Sequence, residues 1–194
     1  MTATCRRKTF MAIEIERRWL LSPSAIPQEI LAQSRERLVQ GYLTQNGALP
    51  VVRIRLIDAP GAPLRAVQTV KALRANGEPG VEEIEFDIPT EQGLDLLPLC
   101  MASLEKERIT VPMAGGLKME IDIFTGNPTL EGLCIAEIEV PHPDYPIALP
   151  DWFGPEVTGI KLLSNVAMAY QPYPAKHFAQ ATLAQHVVCP DDDA

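Results

Sequence analysis

The chain has 194 residues, 46% of them hydrophobic and 22% charged, which suits a single folded soluble domain and excludes a disordered one. Its formal charge of −8 excludes nucleic-acid binding by bulk electrostatics, so an anionic ligand must meet a local basic cluster. Four scattered cysteines (Cys5, Cys100, Cys134 and Cys189) offer neither a zinc-type CxxC pair nor a disulfide framework, and no apolar run reaches the length of a membrane span.

A cytoplasmic protein that does not touch the membrane is therefore expected. Residues 1–11 carry positive charge but lead into no long apolar segment, so they read as an N-terminal extension rather than a signal peptide. Period-2 alternation predicts strands over 13–20, 41–44, 51–56, 66–71, 81–88, 104–111, 118–124 and 135–140. Helices are expected over 27–38, over 90–101 with Thr90 as N-cap, and over 159–170, where Leu162, Leu163, Val166 and Tyr170 fall at helical spacing. The prolines concentrate in the connections, as in a fold of short strands. The main domain is expected over 12–171. Residues 172–194 read as a tail, weakly helical over 175–188. The predicted class is mainly β: a closed eight-stranded antiparallel barrel with a few flanking helices.

The strand faces are sorted by charge. Glu14, Glu16 and Arg18 share one face; Ile13, Ile15, Arg17 and Trp19 share the other. Arg53 and Arg55 lie together, as do Glu83 and Glu85, Lys106 and Arg108, Glu120 and Asp122, and Glu137 and Glu139. Each strand alone reads as amphipathic with a wet charged face. Jointly, sorting by sign suggests that these faces line a narrow polar lumen. Glu14, Glu16, Arg53, Arg55, Lys71, Glu137 and Glu139 are expected in one interior cavity. Ile13, Ile15, Ile54, Ile138 and Val140 are expected to face outward beneath helices or loops.

The segment Glu14-Ile-Glu-Arg-Arg18 resembles the ExExK signature of the CYTH superfamily, the triphosphate tunnel metalloenzymes. Further motifs follow in that family's order: Gly41-Tyr-Leu43, Arg53-x-Arg55, Thr69-Val-Lys71, Glu83-x-Glu85, Lys106-x-Arg108, Glu120-x-Asp122 and Glu137-x-Glu139. Trp152-Phe-Gly154, Glu156-Val-Thr-Gly159, Lys161 and Ser164-Asn165 resemble the closing segment of the short bacterial inorganic tripolyphosphatases. Two positions depart from the pattern: Arg18 stands for the family's lysine, and Val81 stands where a basic residue is frequent.

The resemblance implies divalent-metal-dependent hydrolysis of tripolyphosphate or another triphosphate. It implies a catalytic set of Glu14, Glu16, Glu83, Glu85 and Lys161. Metal ligands would come from Glu14, Glu16 and the last strand (Glu137, Glu139), and a second metal would use Glu83, Glu85, Glu120 or Asp122. Arg18, Arg53, Arg55, Lys71, Lys106, Arg108 and Lys161 would grip the phosphates. Hard oxygen ligands suit Mg²⁺ or Mn²⁺. A structural alternative stands beside these roles: Glu85, Asp122 and Lys161 could simply neutralise opposite charges. Other readings of the fold are a nucleoside or thiamine triphosphatase, an adenylate cyclase, or a silent polyphosphate-binding module. With no Gly-rich nucleotide loop and aromatics at 6%, an inorganic substrate is favoured over a nucleotide. A small polyphosphate or triphosphate is the expected partner, and a homodimer is left open.

Overall fold

The structure is a computed structural model describing residues 10–75, 77–78 and 80–186. Among these residues nine strands form one antiparallel sheet: β1 (Phe10–Glu14), β2 (Glu16–Leu21), β3 (Glu36–Tyr42), β4 (Val51–Asp58), β5 (Arg65–Leu73), β6 (Val81–Ile88), β7 (Ala102–Pro112), β8 (Lys118–Thr125) and β9 (Cys134–Glu139). Their order is β1-β6-β5-β4-β3-β7-β8-β9-β2. The helices are α1 (Gln28–Leu31), α2 (Thr90–Leu96), α3 (Asn165–Tyr170) and α4 (Pro172–His186). None of them is long and apolar enough to cross a membrane.

The expected closed eight-stranded barrel is corrected here: the ladder has nine strands and does not close. The two edges, β1 and β2, are consecutive in the chain and separated only by Ile15. Glu14 pairs with Val81 of β6, whereas Glu16 pairs with Glu139 of β9, so the chain changes partners within two residues. The free edge of β2 is taken by the segment after Trp152. Leu20 N–H donates to the Pro155 carbonyl at 3.0 Å, Gly154 N–H to the Leu20 carbonyl at 3.1 Å, and Val157 N–H to the Arg18 carbonyl at 2.7 Å. This approach requires glycine, since a Cβ on Gly154 would stand 2.3 Å from the Leu20 oxygen. The ladder thus ends at β1 on one side and at β2 on the other, and the joint between them is Ile15, whose carbonyl accepts from Val140 N–H at 2.8 Å.

Other elements move with their partners. The helix expected over 27–38 is confined to Gln28–Leu31, and the chain from Glu36 onward is strand. Arg35 reaches Glu107, and Arg37 reaches Glu105, each at 2.6 Å, so cross-strand charge pairs dock β3 on β7. Phe10 and Met11, placed in the extension by the sequence, already belong to β1; the rest of that extension, Cys5, Cys189 and the end of the tail lie outside the described residues.

Two cores hold the sheet. One covers its outer face with Trp19, Leu21, Ile109, Ile121, Ala136, Ile138 and Val140, capped by Ile30, Leu31, Trp152 and Phe153. The other lies on the charged face itself. On β2 that face runs Glu16, Arg18, Leu20; on β9 it runs Glu139, Glu137, Ile135; on β8 it runs Glu120, Asp122, Phe124. Leu20, Ile135, Phe124 and Leu104 pack there with Leu163, Met168 of α3 and Ala175 and Ala179 of α4. Thus α3 and α4 plug one end of the inner face, where the sequence places helices only outside. α2 does lie outside, on β4 and β5, and Gly93 permits it: a Cβ there would be 2.4 Å from the Ala66 Cβ. Of the residues expected to face outward under cover, Ile54, Ile138 and Val140 are buried. Ile13 is 52% exposed, and Ile15, at the break between strands, packs against the outer core and also borders the interior cavity.

Candidate active site

Strand alternation sends charged side chains from eight of the nine strands into one cavity of about 710 Å³. Its wall includes the cations Arg18, Arg53, Arg55, Lys71, Arg108 and Lys118 and the acids Glu14, Glu16, Glu83, Glu85, Glu120, Glu137 and Glu139. The seven residues expected together in one interior cavity are all there. Lys118, Thr158, Ser164 and Asn165 join them without having been singled out as binding residues. Lys118 is a lone cation at the start of its strand, so no paired pattern marked it.

Three sequence candidates stand elsewhere. Lys106 and Asp122 are both 0% exposed and form an ion pair behind the wall, where Lys106 also donates to Asn165 Oδ1 at 3.2 Å. Their faces point inward as the alternation requires, but the apolar plug of Phe124 and Leu104 seals that end of the interior. Lys161 is exposed on the short 3-10 turn before α3 and is not part of the cavity wall.

Three clusters organise the charge. In the first, Lys71 bridges two carboxyls, pairing with Glu14 and lying 2.6 Å from Glu83 Oε2. Burial raises Glu14, but a hydrogen bond from Glu83 and the charge of Lys71 overcome that and bring it down to about 2. Burial and the same Glu14 contact push Glu83 up to about 8. Two carboxyls this close cannot both ionise cheaply, so they share one proton. Arg53 adjoins them, donating to Thr69 Oγ1 at 2.8 Å and to Glu85 Oε1 at 3.2 Å. Burial raises Glu85, and the Thr69 hydrogen bond, Glu83 and Arg53 more than reverse it.

In the second cluster Arg108 is a hub. It grips Asp122 in bidentate fashion at 2.6 and 2.7 Å, reaches Glu137 Oε2 at 2.9 Å and pairs with Glu120. Burial works against an ionised Asp122, yet Arg108 and Lys106 hold its carboxyl well below the usual range.

The third is the acidic wall of β2 and β9, where Glu16 stands opposite Glu139 in the ladder. Burial, then Glu137, push Glu16 up to about 7. Burial, then Glu14 and Glu120, raise Glu139. Glu16 and Glu139 are thus both raised by burial first and by neighbouring carboxylates second, which marks a surplus of acid on this wall. These are hard oxygen donors, the type that Mg²⁺ and Mn²⁺ take, and the wall fits a divalent cation in donor chemistry and charge. Among the described residues, no three acidic, histidine or cysteine side chains are gathered closely enough to hold a metal ion as they stand.

The chain is 31% identical over 172 residues to an inorganic triphosphatase of Acetivibrio thermocellus, a match spanning 84% of this chain and 97% of that one. It is 30% identical over 159 residues to an inorganic triphosphatase of Nitrosomonas europaea, covering 80% and 96%. Among solved structures, that of the inorganic triphosphatase NE1496 aligns with a TM-score of 0.56 at 29% identity, over 82% of this chain and 95% of that one. A Hippeastrum putative adenylyl cyclase described as having a dominant triphosphatase activity shares the fold, with a TM-score of 0.51 and 17% identity over 68% and 81% of the two chains. No protein-family profile matches the chain.

Proposed function

The chain belongs to the inorganic triphosphatase family of the CYTH superfamily, and we propose that it hydrolyses the phosphoanhydride bonds of inorganic tripolyphosphate in the cavity between its strands. The observation that carries this reading is the composition of the wall: six cations and seven carboxyls converge on one space of about 710 Å³. That volume is of the size that takes a small-molecule ligand. Six cations alone suit a polyphosphate, but the seven carboxyls, were all of them ionised, would leave the wall with no net positive charge. An anion therefore needs further neutralisation, by a proton or a metal, before it binds.

A divalent cation, Mg²⁺ or Mn²⁺, meets that need, and Glu16, Glu137 and Glu139 would hold it. When bound, it supplies Lewis-acid polarisation of a phosphoryl oxygen and offsets the charge that develops as the bond breaks. The chain's own residues do the rest. Arg53, Arg55 and Arg108, with Lys71 and Arg18, bind the non-bridging oxygens and orient the chain of phosphates. Glu83, whose carboxyl is pushed up to about 8, holds the proton it shares with Glu14 and so keeps the cavity from repelling its ligand outright. The reaction class is phosphoryl transfer to water by positioning and electrostatics, with no covalent nucleophile. Specificity follows from reach: three phosphates span both the cations of β4 and β5 and the acidic wall of β2 and β9, and two do not. The scattered cysteines support a reducing, cytoplasmic site of action.

Phosphate release from tripolyphosphate, pyrophosphate, ATP and thiamine triphosphate, each with and without Mg²⁺ or Mn²⁺, tests the proposal. Tripolyphosphate is expected to give the highest kcat/KM, only with metal. A higher kcat/KM for ATP, or cyclic AMP as product, overturns the substrate assignment; turnover unaffected by chelation overturns the metal.

A further inference from the structure

Four cations of the cavity face carboxylates: Arg18 lies 3.5 Å from Glu16, Arg53 3.2 Å from Glu85, and Lys71 and Arg108 pair with Glu14 and Asp122. Arg55 differs. Among the described residues it forms no ion pair; its Nε donates to the Oε1 of Gln40 at 3.2 Å. Lys118 is also without an ion pair, but it is exposed to water.

Gln40 is 0% exposed and stands directly across the β3–β4 ladder from Arg55. A guanidinium has no acceptor, so the amide can present only its oxygen to Arg55. Its NH₂ group then faces Tyr42, donating to Oη at 2.8 Å. Both ends of the amide are thereby fixed, and with them the plane of the Arg55 guanidinium. Burial, followed by repulsion from Arg53 and Arg108, pushes Arg55 down to about 10, as befits a cation short of counter-charge.

We propose that Gln40 is a positioning residue for triphosphate binding: a buried neutral amide that aims Arg55 into the cavity without neutralising it, leaving its charge for a phosphate oxygen. A carboxylate at that place would orient Arg55 equally well, but the ligand would have to compete with it. An apolar side chain would leave the charge and lose the orientation. A neutral acceptor of glutamine's length does both. The inference rests on the triphosphatase reading of the same cavity and adds a residue that never touches the ligand.

The experiment compares wild type with Gln40→Glu and Gln40→Met. It reads the melting temperature, steady-state kcat and KM on tripolyphosphate, and the calorimetric Kd for tripolyphosphate. Gln40→Glu is expected to melt at or above the wild-type temperature, because it gains an ion pair. KM and Kd are expected to rise by about tenfold or more, with kcat within about twofold. Stability and affinity then move in opposite directions, which a merely structural glutamine does not produce. Gln40→Met is expected to raise KM and Kd while lowering the melting temperature, and it carries the test if Gln40→Glu does not fold. Unchanged KM and Kd in a folded variant overturn the inference. A wild type that binds tripolyphosphate without turning it over sinks the hydrolytic reading, while the Kd comparison still judges Gln40.

Discussion

Lys106 and Asp122 form an ion pair with neither side chain exposed, and the same Asp122 carboxylate holds Arg108 in a bidentate grip. The pair lies behind the cavity wall, where it is expected to fix Arg108 rather than to meet a ligand. Asp122→Asn leaves two buried cations short of a charge. Breaking a buried pair on one side costs about 3–5 kcal/mol, and a loss of that order is expected in denaturant unfolding. Activity should fall with it, as Arg108 loses its anchor. A variant of wild-type stability would refute the assignment.

Glu16→Gln is expected to behave in the opposite way. Its carboxyl is raised to about 7, by burial first and Glu137 second. Relative to an ordinary glutamate, the folded state holds its proton longer, so the ionised group lowers stability as pH rises through the interval from about 4.5 to about 7. The side chain is 38% exposed, so solvent screens part of that effect. Above pH 7 the variant should melt no lower than wild type, while turnover with Mg²⁺ should drop by about a hundredfold or more. Full turnover in the variant would remove Glu16 from the proposed metal site.

The Glu14–Glu83 pair gives a pH signature. With Glu14 at about 2 and Glu83 at about 8, the folded pair binds fewer protons than the unfolded chain below about 4.5, and more above it. Its contribution to stability therefore grows from pH 2 to about 4.5, then declines up to about 8. Glu83→Gln keeps a hydrogen-bond donor for Glu14 and removes the declining limb. Its unfolding free energy relative to wild type is expected to improve between pH 5 and pH 8.5, by something on the order of 2 kcal/mol. Parallel pH curves for the two proteins would show that the proton is not shared.

Lys161 is exposed and off the cavity wall, although its motif resembles a phosphate-binding position. Lys161→Ala should leave kcat/KM for tripolyphosphate within about twofold, as an exposed charge off the wall acts only through screened electrostatics. A tenfold loss in steady-state kinetics would return Lys161 to the site.

The sequence by itself determined which residues face the interior. Side chains alternate across a strand, so Arg53 and Arg55, or Glu137 and Glu139, had to share a face whatever the topology. The like-signed pairs then made a charged interior legible before any contact was known. What it could not determine depends on partners far along the chain. Arg35 and Arg37 sit in a stretch with helical periodicity, and only Glu107 and Glu105, about seventy residues away in β7, draw it into a strand. The split at Ile15 is likewise decided by β6 on one side and β9 on the other, which leaves the ladder open between β1 and β2. Lys106 and Arg108 read alike in sequence, yet one is sealed beneath Phe124 and the other opens on the cavity, because α3 and α4 plug one end of the inner face and leave the other free. Alternation is local and sets direction; depth along the interior is set by what packs over it, and that is tertiary.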